Sequence, residues 1–331
     1  MITVIATVLN EGESIRRLLD SLAAQTRLPD QVVIVDGGSS DNTVTLLREY
    51  EARLHLRVLV EPGCNISAGR NRAIAAAANG IIAVTDAGVT LESDWLERIT
   101  QPLLDDPALE VVGGFFHADP ATIFEAALGA TTLPLADEIN PATFLPSSRS
   151  LALRKTAWIT AGGYPEWLDY CEDLILDLRL RQVAAPTAFE PRARVHFRPR
   201  PTLESFYKQY YRYARGDGKA DLWRKRHALR YATYLLAAPL ILLLGLRVHK
   251  AMWALIVPGA LVYLSQPLRR LPVVLADAER AGKLRLTREE RLFAFALVPV
   301  IRVVGDVAKM IGYPAGWYWR LKHRPPNWRD G

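Results

Sequence analysis

Over the first 115 residues, short runs of β-branched and other apolar residues alternate with stretches whose apolar positions recur at helical spacing. The runs predict strands at Ile2–Thr7, Gln31–Val35, His55–Val60, Gly80–Thr85 and Glu110–Phe115. The intervening stretches predict helices at Glu13–Gln25, Asn42–Tyr50, Ala68–Asn79 and Asp94–Leu104, with Ser67 and Ser93 as N-caps of the last two. This alternation indicates an α/β domain, with a mainly parallel sheet covered by helices on both faces.

Polar and glycine-rich residues follow four of these strands. They are Asn10-Glu11, the segment from Asp36 to Asp41, the segment from Asn65 to Asn71, and the segment from Asp86 to Gly88. Parallel α/β sheets bind ligands beyond the carboxyl ends of their strands. The four segments are therefore expected to share one edge of the sheet and to form a binding site there.

Residues 116–200 are less regular. They predict a strand at Ser150–Leu153, a helix at Glu172–Arg181, and two short strands at Thr187–Phe189 and Ala193–Phe197.

Two apolar runs, Tyr231–Leu246 and Ala251–Leu268, contain 16 and 18 residues. As helices each would cover roughly 24–27 Å, a little less than a bilayer core. Two buried helices of a soluble domain are the alternative, but apolar side chains around the whole circumference favour a membrane hairpin. A third apolar run, Leu292–Val304, is interrupted by the charged residues Arg302, Asp306 and Lys309. It could be a third membrane span, a re-entrant helix or an interfacial helix.

The net charge of +6 combines two unlike halves. Residues 1–200 carry 18 basic and 26 acidic side chains, whereas residues 201–331 carry 23 basic and 9 acidic ones. More basic residues lie beyond the outer ends of the apolar hairpin than in the tight link between its two runs. Basic flanks of membrane helices favour the cytoplasmic side, so the N-terminal domain is predicted to be cytoplasmic. Cys64 and Cys171 lack metal-ligand spacing, as expected in a reducing compartment. The N-terminus is expected to be the first strand, since no basic flank of a signal peptide precedes it.

Six motifs follow one another in order. They are Thr7-Val-Leu-Asn-Glu11, Val35-Asp-Gly-Gly-Ser-Ser-Asp-Asn-Thr43, Asn65-Ile-Ser-Ala-Gly-Arg-Asn71, Thr85-Asp-Ala-Gly88, the segment from Ala161 to Glu172-Asp173, and Gln209-Tyr-Tyr-Arg-Tyr213. Together they resemble an inverting family-2 glycosyltransferase of the GT-A fold, similar to membrane-anchored exopolysaccharide-type enzymes, over about residues 1–216.

The resemblance implies a nucleotide-sugar site built from the strand ends. Its expected residues are Thr7, Asn10, Glu11, Asp36, Arg70 and Asp86. Asp36 stands where the family contacts the nucleobase, and the Arg70 guanidinium is suited to phosphate or base oxygens. Simple helix capping by Asn10 and Glu11, or a surface salt bridge of Arg70, are the structural alternatives.

Asp86 occupies the position of the family's metal-binding Asp-x-Asp, whose second carboxylate is replaced by Gly88. The resemblance implies that Asp86 holds Mg²⁺ or Mn²⁺ on the donor diphosphate, where the cation neutralises the leaving group. The diphosphate and water then supply most of the ligands.

Glu172 and Asp173 match the family's acceptor-side pair. Inversion needs one base that deprotonates the acceptor hydroxyl, and Asp173 matches that base, with Glu172 as its neighbour. Capping of the helix at this point is the alternative.

Gln209, Arg212 and Tyr213 resemble the Gln-x-x-Arg-Trp motif of membrane-bound members, with tyrosine in place of tryptophan. The resemblance implies that Arg212 contacts the diphosphate and Tyr213 the acceptor. Interleaved basic and aromatic residues also suit nucleic acid, but the adjacent apolar hairpin favours a membrane interface and no nucleic-acid partner.

We therefore predict a multi-pass cytoplasmic-membrane glycosyltransferase whose catalytic domain faces the cytoplasm. Residues 1–205 are the catalytic domain, 206–230 an interfacial segment, and 231–331 a membrane region with a possible third helix at 292–313. Its expected partners are a nucleotide-sugar donor, most simply a UDP-sugar, a lipid-linked or polysaccharide acceptor, and membrane lipids. Polyprenyl phosphate as acceptor, and a non-catalytic nucleotide-sugar-binding protein, are the alternatives.

Overall fold

The computed structural model describes residues 1–330 and divides them into two compact units. The sheet unit comprises Met1–His117 and Leu135–Phe197, together with the C-terminal residues after Pro325. The helical unit comprises Ala118–Pro134 and Arg198–Pro325.

Eight strands form one sheet in the order β3-β2-β1-β4-β7-β6-β8-β5. They are β1 Ile2–Val8, β2 Gln31–Asp36, β3 Leu56–Val60, β4 Ile81–Val84, β5 Val89–Leu91, β6 Val111–Ala118, β7 Leu151–Arg154 and β8 Thr187–Phe197. β1 to β4 are parallel as predicted, but β7 is antiparallel to both β4 and β6, and β5 is antiparallel to β8. The α/β fold class is thus confirmed, with a mixed rather than mainly parallel sheet. The two short strands expected near residues 187–197 are the single strand β8.

The helices of the sheet unit are α1 Ile15–Ala23, α2 Thr43–Glu49, α3 Glu51–Leu54, α4 Ile66–Ala76, α5 Trp95–Asp105, α7 Lys155–Thr160 and α8 Glu172–Gln182. Short 3₁₀ turns lie at Gly12–Ser14, Ala136–Glu138 and Trp328–Asp330. The predicted N-caps Ser67 and Ser93 are wrong, because α4 is capped by Asn65 and α5 follows Asp94.

Strand β1 illustrates why this sheet is covered on both faces. Val4 packs in one apolar cluster with Leu18 of α1, and its neighbour Ile5 packs in another with Ile74 of α4. Successive side chains of a strand point to opposite faces, so a strand that is apolar at both positions must lie between two layers of helices.

The helical unit contains α6 Ile123–Thr132, α9 Leu203–Ala220, α10 Arg224–Ala232, a π-helix at Thr233–Ala237, α11 Ala238–Arg247, a 3₁₀ segment at Lys250–Leu255, α12 Ile256–Arg280 and α13 Arg288–His323. α9 packs directly on α13, where a Cβ on Gly312 or Gly316 would overlap the carbonyl oxygens of Tyr211 and Arg215. Glycines at such positions let two helix backbones approach closely. The third apolar run is part of the continuous 36-residue helix α13.

The two predicted apolar runs lie in helical segments that have the length and composition needed to cross a membrane, Arg224–Arg247 and Lys250–Arg280. Their apolar side chains face outward: Leu236 is 68% exposed and Val262 is 79% exposed. A soluble core helix would instead bury these side chains, so the exposed apolar surface is consistent with a lipid-facing one.

Candidate active site in the sheet unit

The loops after β1 and β2 are joined to each other. The Asn10 backbone N–H donates to Ser39 Oγ at 2.8 Å, and Asn10 Oδ1 accepts from the Ser40 N–H at 2.9 Å. The next N–H, of Glu11, donates to Thr43 Oγ1 at 2.9 Å. Two of the predicted motifs therefore form one connected edge of the sheet. The Glu11 carboxylate also accepts from Ser14 Oγ at 3.0 Å, so it contributes to the start of the following helix.

Asp36, at the end of β2, is fully buried. Its Oδ1 accepts from the N–H groups of Gly38 and Ser39 at 2.9 and 2.8 Å, and its Oδ2 accepts from Ser39 Oγ at 2.5 Å. Gly38 has φ of 96°, and a Cβ there would lie 2.9 Å from Pro62 Cα. The carboxylate thus shapes its own loop, and a nucleobase would have to share oxygens that already accept these bonds.

Helix α4 holds the predicted acceptor loop through side chains of the third motif. Asn65 Nδ2 donates to the Glu166 carbonyl at 2.6 Å, and Ser67 Oγ donates to the Leu168 carbonyl at 2.9 Å. Asn71 Nδ2 adds a bond of 2.8 Å to the Tyr164 carbonyl. Thr7 touches the same helix, because a Cβ at Gly69 would meet its methyl group at 2.7 Å. The segment predicted to line the donor pocket therefore also positions residues 164–168.

Arg70 lies at the centre of the site and is 2% exposed. Its Nη1 donates to Glu172 Oε1 and its Nη2 donates to Asp86 Oδ1, both at 2.6 Å, while its guanidinium lies 5.3 Å from the Tyr164 ring centroid. Burial opposes the charge, but the two carboxylates outweigh it and raise the pKa of Arg70. The sequence suggested a contact with donor phosphate or base. In the structure the fork joins the fourth and fifth motifs, and the donor contact stays a prediction.

Asp86 has a second cationic neighbour that the sequence reading missed. Arg149 Nε lies 3.6 Å from Asp86 Oδ2, and its guanidinium stacks 4.5 Å from the Phe197 ring centroid. Burial opposes ionisation of Asp86, but Arg70 and Arg149 together lower its pKa below the ordinary value. Arg149 precedes β7, whose antiparallel register places Leu151 opposite Val84 and so brings Arg149 to the end of β4.

A resident divalent cation does not fit this donor set by itself. Across residues 1–330, no group of three or more His, Cys, Asp and Glu side chains is arranged to hold a metal ion. Both oxygens of Asp86 face guanidinium groups, whereas a Cβ on Gly88 would meet no atom within 4 Å. A cation at Asp86 would therefore have to take most of its ligands from a donor diphosphate and water.

Glu172 and Asp173 occupy the first turn of α8, after Cys171 in the left-handed region with φ of 66°. Burial raises the pKa of Glu172 to about 7; Arg70 opposes this shift and the adjacent Asp173 adds to it. The Arg70 charge is shared with Asp86, so it compensates the burial of Glu172 incompletely. Asp173 is half-buried, and its Oδ1 accepts from the Leu174 N–H at 2.9 Å.

A third carboxyl, Asp177, lies one turn further along α8 and was not among the predicted site residues. Burial, reinforced by the charge of Asp173, raises its pKa well above the ordinary range. Its Oδ2 has no hydrogen-bond partner among the described residues. The first turns of α8 therefore combine two carboxyl groups that favour protonation, Glu172 and Asp177, with Asp173 between them in sequence. Buried carboxyl groups with raised pKa values, such as Glu172 and Asp177, are typical of acid–base sites.

Gln209, Arg212 and Tyr213 belong to α9 in the helical unit. Gln209 Nε2 donates to the Tyr213 hydroxyl at 2.8 Å, and the Tyr213 ring lies 5.7 Å from that of Tyr210. Residues four apart share one face of a helix, so the motif forms an ordered polar and aromatic stripe.

Comparison with known proteins finds a family similarity in the N-terminal region. Residues 3–140 match the protein-family model of Glycosyl transferase family 2. The chain is 28% identical over 267 residues to the succinoglycan biosynthesis protein ExoA of Rhizobium meliloti (strain 1021), covering 77% of this chain and 80% of ExoA. It is 26% identical over 279 residues to the glycosyltransferase AglE of Haloferax volcanii, covering 81% of this chain and 85% of AglE.

Two solved structures share the fold. The mannosyltransferase PcManGT from Pyrobaculum calidifontis, in complex with GDP-Man and Mn²⁺, has a TM-score of 0.56 at 18% identity, covering 98% of this chain and 87% of that one. S. aureus TarS 1–349, in complex with UDP-GlcNAc, has a TM-score of 0.51 at 17% identity, covering 97% and 92%. At such identities the likeness concerns the fold alone. The GT-A-like fold and the resemblance to exopolysaccharide-type family-2 enzymes are both confirmed.

Proposed function

We propose that this chain, whose residues 3–140 match the model of Glycosyl transferase family 2, transfers a sugar, with inversion, from a nucleotide-sugar donor to a lipid-linked glycan or polysaccharide acceptor at the membrane. A UDP-sugar is the expected donor. Relatives named for succinoglycan biosynthesis and as an O-antigen chain rhamnosyltransferase support an acceptor of this class. Polyprenyl phosphate is the alternative acceptor.

The observation that carries the proposal is the difference in contacts between the Glu172 and Asp173 side chains. Arg70 engages Glu172 at 2.6 Å, and burial favours its protonated form. Within the described residues, the one hydrogen bond of Asp173 comes from the neighbouring Leu174 N–H. We assign Asp173 as the base that accepts the proton of the acceptor hydroxyl, and Glu172 as a residue that orients the loop through Arg70.

The test is Asp173→Asn, an almost isosteric change that removes the basic oxygen. Transfer should fall by about 10²–10⁴-fold, since that is the contribution of a positioned general base. UDP affinity and the melting temperature should stay close to wild type. Asp169→Asn, in the same loop, is the matched control and should keep most of the activity. An Asp173→Asn protein with substantial turnover would contradict the assignment, and loss in Asp169→Asn alone would move the base to Asp169.

For the donor side we propose that the six residues predicted from the motifs surround the nucleotide: Thr7, Asn10, Glu11, Asp36, Arg70 and Asp86. We also propose that Asp86 is one ligand of a cation that the donor diphosphate carries. The solved structures described with GDP-Man and Mn²⁺ and with UDP-GlcNAc support a nucleotide-sugar donor. Calorimetry with UDP should give tighter binding in Mn²⁺ than in chelator.

Gly88→Asp sharpens that measurement. A side chain at position 88 would meet no atom within 4 Å of its Cβ, so the variant should fold. It supplies a second carboxylate for the cation, so the UDP affinity in Mn²⁺ should rise relative to the UDP affinity in chelator. Equal affinities with and without Mn²⁺ in both proteins would remove the cation from the proposal.

For the acceptor side we propose that Arg212 contacts the diphosphate and Tyr213 the acceptor. Mass spectrometry of products from a panel of nucleotide sugars and membrane lipids would identify donor and acceptor together, and NMR of the product would report its anomeric configuration. A retained configuration would exclude the inverting mechanism. No product from the whole panel would favour the non-catalytic alternative.

We also propose that the chain is a multi-pass protein with its catalytic domain in the cytoplasm and its interfacial segment at 206–230. The two apolar segments and their basic flanks support this arrangement. The protein should stay with membranes in high salt and be released by detergent, because salt screens electrostatic attachment but not apolar burial. An N-terminal tag should resist external protease in intact cells; digestion there would reverse the orientation.

A further inference from the structure

A stripe of charged residues runs along α13 through the third apolar run. Arg302, Asp306 and Lys309 lie one helical turn apart, on a face distinct from the outward one. The outward positions are apolar and exposed: Val300, Val303, Val307 and Ile311, at 38–51%. Ionisable residues that turn inward from an apolar outer face indicate a functional site in membrane proteins.

Asp306 accepts three hydrogen bonds from its neighbours in the helical unit. Its Oδ1 accepts from Arg230 Nε at 2.7 Å, and its Oδ2 accepts from the Tyr263 hydroxyl at 2.6 Å and the Tyr234 hydroxyl at 3.3 Å. Tyr234 belongs to the π-helix Thr233–Ala237, a distortion that occurs often at functional sites. This carboxylate therefore has little capacity left for the other cations near it.

Arg302 and Lys309 are the two remaining cations, and within residues 1–330 neither has a hydrogen-bond or ion-pair partner. The Arg302 guanidinium lies 4.9 Å from the Tyr263 ring centroid, with a buried Nε that makes no hydrogen bond. Lys309 Nζ lies 4.8 Å from the Tyr210 ring centroid. Aromatic faces attract cations, but they do not neutralise the charge.

The charges of this group act on one another. Lys309 interacts electrostatically with Arg230, Arg302 and Asp306. Asp217 is the other carboxylate that acts on Lys309. His227 lies between Asp217 and Arg230. Its Nδ1 accepts from Arg230 Nη1 at 3.1 Å, so its Nε2–H donates to Asp217 Oδ2, also at 3.1 Å. Three cations therefore face two carboxylates, Asp306 and Asp217, both of which already accept hydrogen bonds. Half-buried positive charge in excess of its counterions is unfavourable, so the cluster is suited to receive an anion.

We propose that Arg230, Arg302 and Lys309 form a binding site for the phosphate group of a lipid. Two of the helices that build the cluster, carrying Arg230 and Tyr263, belong to the segments able to cross a membrane, and their apolar side chains are exposed. A ligand here meets guanidinium donors and an ammonium together with an apolar surface. A phosphate on a hydrocarbon chain satisfies both parts.

The site is independent of the reaction, but the identification of its ligand with the lipid that carries the acceptor rests on the proposed function. A carrier lipid and an ordinary anionic phospholipid share the chemistry, and their relative affinities distinguish them.

The experiment uses the full chain in neutral detergent, with native mass spectrometry to count bound lipid. The probes are a short-chain isoprenyl monophosphate, the isoprenol of equal length, phosphatidylglycerol and inorganic phosphate. The isoprenyl phosphate or phosphatidylglycerol should fill one site, and isoprenol should not. Tighter binding of the isoprenyl phosphate indicates a carrier lipid, and tighter binding of phosphatidylglycerol indicates a bilayer lipid. Displacement by inorganic phosphate at the same concentration as the lipid would overturn a lipid site.

The double variant Arg302→Gln, Lys309→Gln should lose roughly tenfold or more in lipid affinity, as expected for lost charge-assisted bonds. Lys322→Gln removes the same charge from an exposed position of α13 and should bind like wild type. Should the double variant not fold, Lys309→Gln compared with Lys309→Arg replaces it, with affinity lost in the first and kept in the second.

Unchanged lipid affinity in the charge-removing variants would overturn the proposal. UDP affinity, measured on the same preparations, separates this site from the donor site. Lipid binding by a protein that fails to transfer any sugar would refute the proposed function and leave the lipid site standing.

Discussion

Both units of this protein contain a half-buried or buried ionic cluster, and the two clusters have opposite charge balance. In the sheet unit two guanidiniums, of Arg70 and Arg149, lie near the carboxyl groups of Asp86, Glu172, Asp173 and Asp177. In the helical unit two carboxylates, Asp306 and Asp217, lie near Arg230, Arg302 and Lys309. The first cluster has acidic groups in excess and the second has basic groups in excess.

Both clusters place a cation over a tyrosine ring, Arg70 at Tyr164 and Arg302 at Tyr263. They differ in what surrounds them. The sheet unit encloses its cluster in a conventional apolar core, whereas the helical unit exposes many of its large apolar side chains. An acidic excess near buried carboxyl groups is suited to proton transfer, and a basic excess beside exposed apolar helices is suited to an anionic amphiphile.

The largest effect should come from removing the buried cation at the centre of the acidic cluster, Arg70. Arg70→Met leaves Glu172 and Asp86 without their shared partner, and loss of one member of a buried ion pair costs about 3–5 kcal/mol of unfolding free energy. Arg72→Met, two residues away and paired with Glu61 at the surface, should cost at most about 1 kcal/mol. Urea unfolding of both variants in neutral detergent measures the difference. Equal losses would mean that Arg70 is not a central ionic contact.

A smaller effect should come from neutralising the carboxylate at the centre of the basic cluster, Asp306. Asp306→Asn keeps one hydrogen-bond acceptor but loses the charge opposite Arg230, which should cost about 1–3 kcal/mol. Asp277→Asn, paired with Arg280 on the exposed face of α12, is the control and should cost at most about 1 kcal/mol. The same Asp306 variant should bind lipid phosphate at least as tightly as wild type, since its charge excess is greater. Weaker lipid binding would contradict the assigned roles.

The pH dependence of stability tests the acidic cluster without removing it. The pKa of Glu172 is raised to about 7 in the folded protein, so the folded state binds this proton more strongly than the unfolded chain does. The stabilisation is complete below the ordinary pKa and is lost as pH rises through about 7, with a slope of up to about 1.4 kcal/mol per pH unit. Glu172→Gln should flatten the unfolding free energy between about pH 5 and 8. An unchanged slope would place the titration on another group.

The parallel half of the sheet was predictable because its signals are local. β-branched runs and helical spacing identified β1 to β4 and the helices between them, and polar residues after each strand identified the edge where the motifs meet. Apolar composition likewise identified the two segments with membrane-spanning length. Each of these features depends on residues within one or two turns of each other, which a linear pattern records directly.

The partners of the charged side chains were decided by tertiary structure alone. Arg149 reaches Asp86 because β7 pairs antiparallel with β4, and Arg70 bonds to a glutamate that lies 102 positions further along the chain. Arg230 and Asp306 are 76 positions apart. An ion pair depends on distance in space and on burial, and neither is written in the local pattern of apolar and polar residues. The sequence therefore determined which groups this protein has available, and the packing of its strands and helices determined which of them are already engaged.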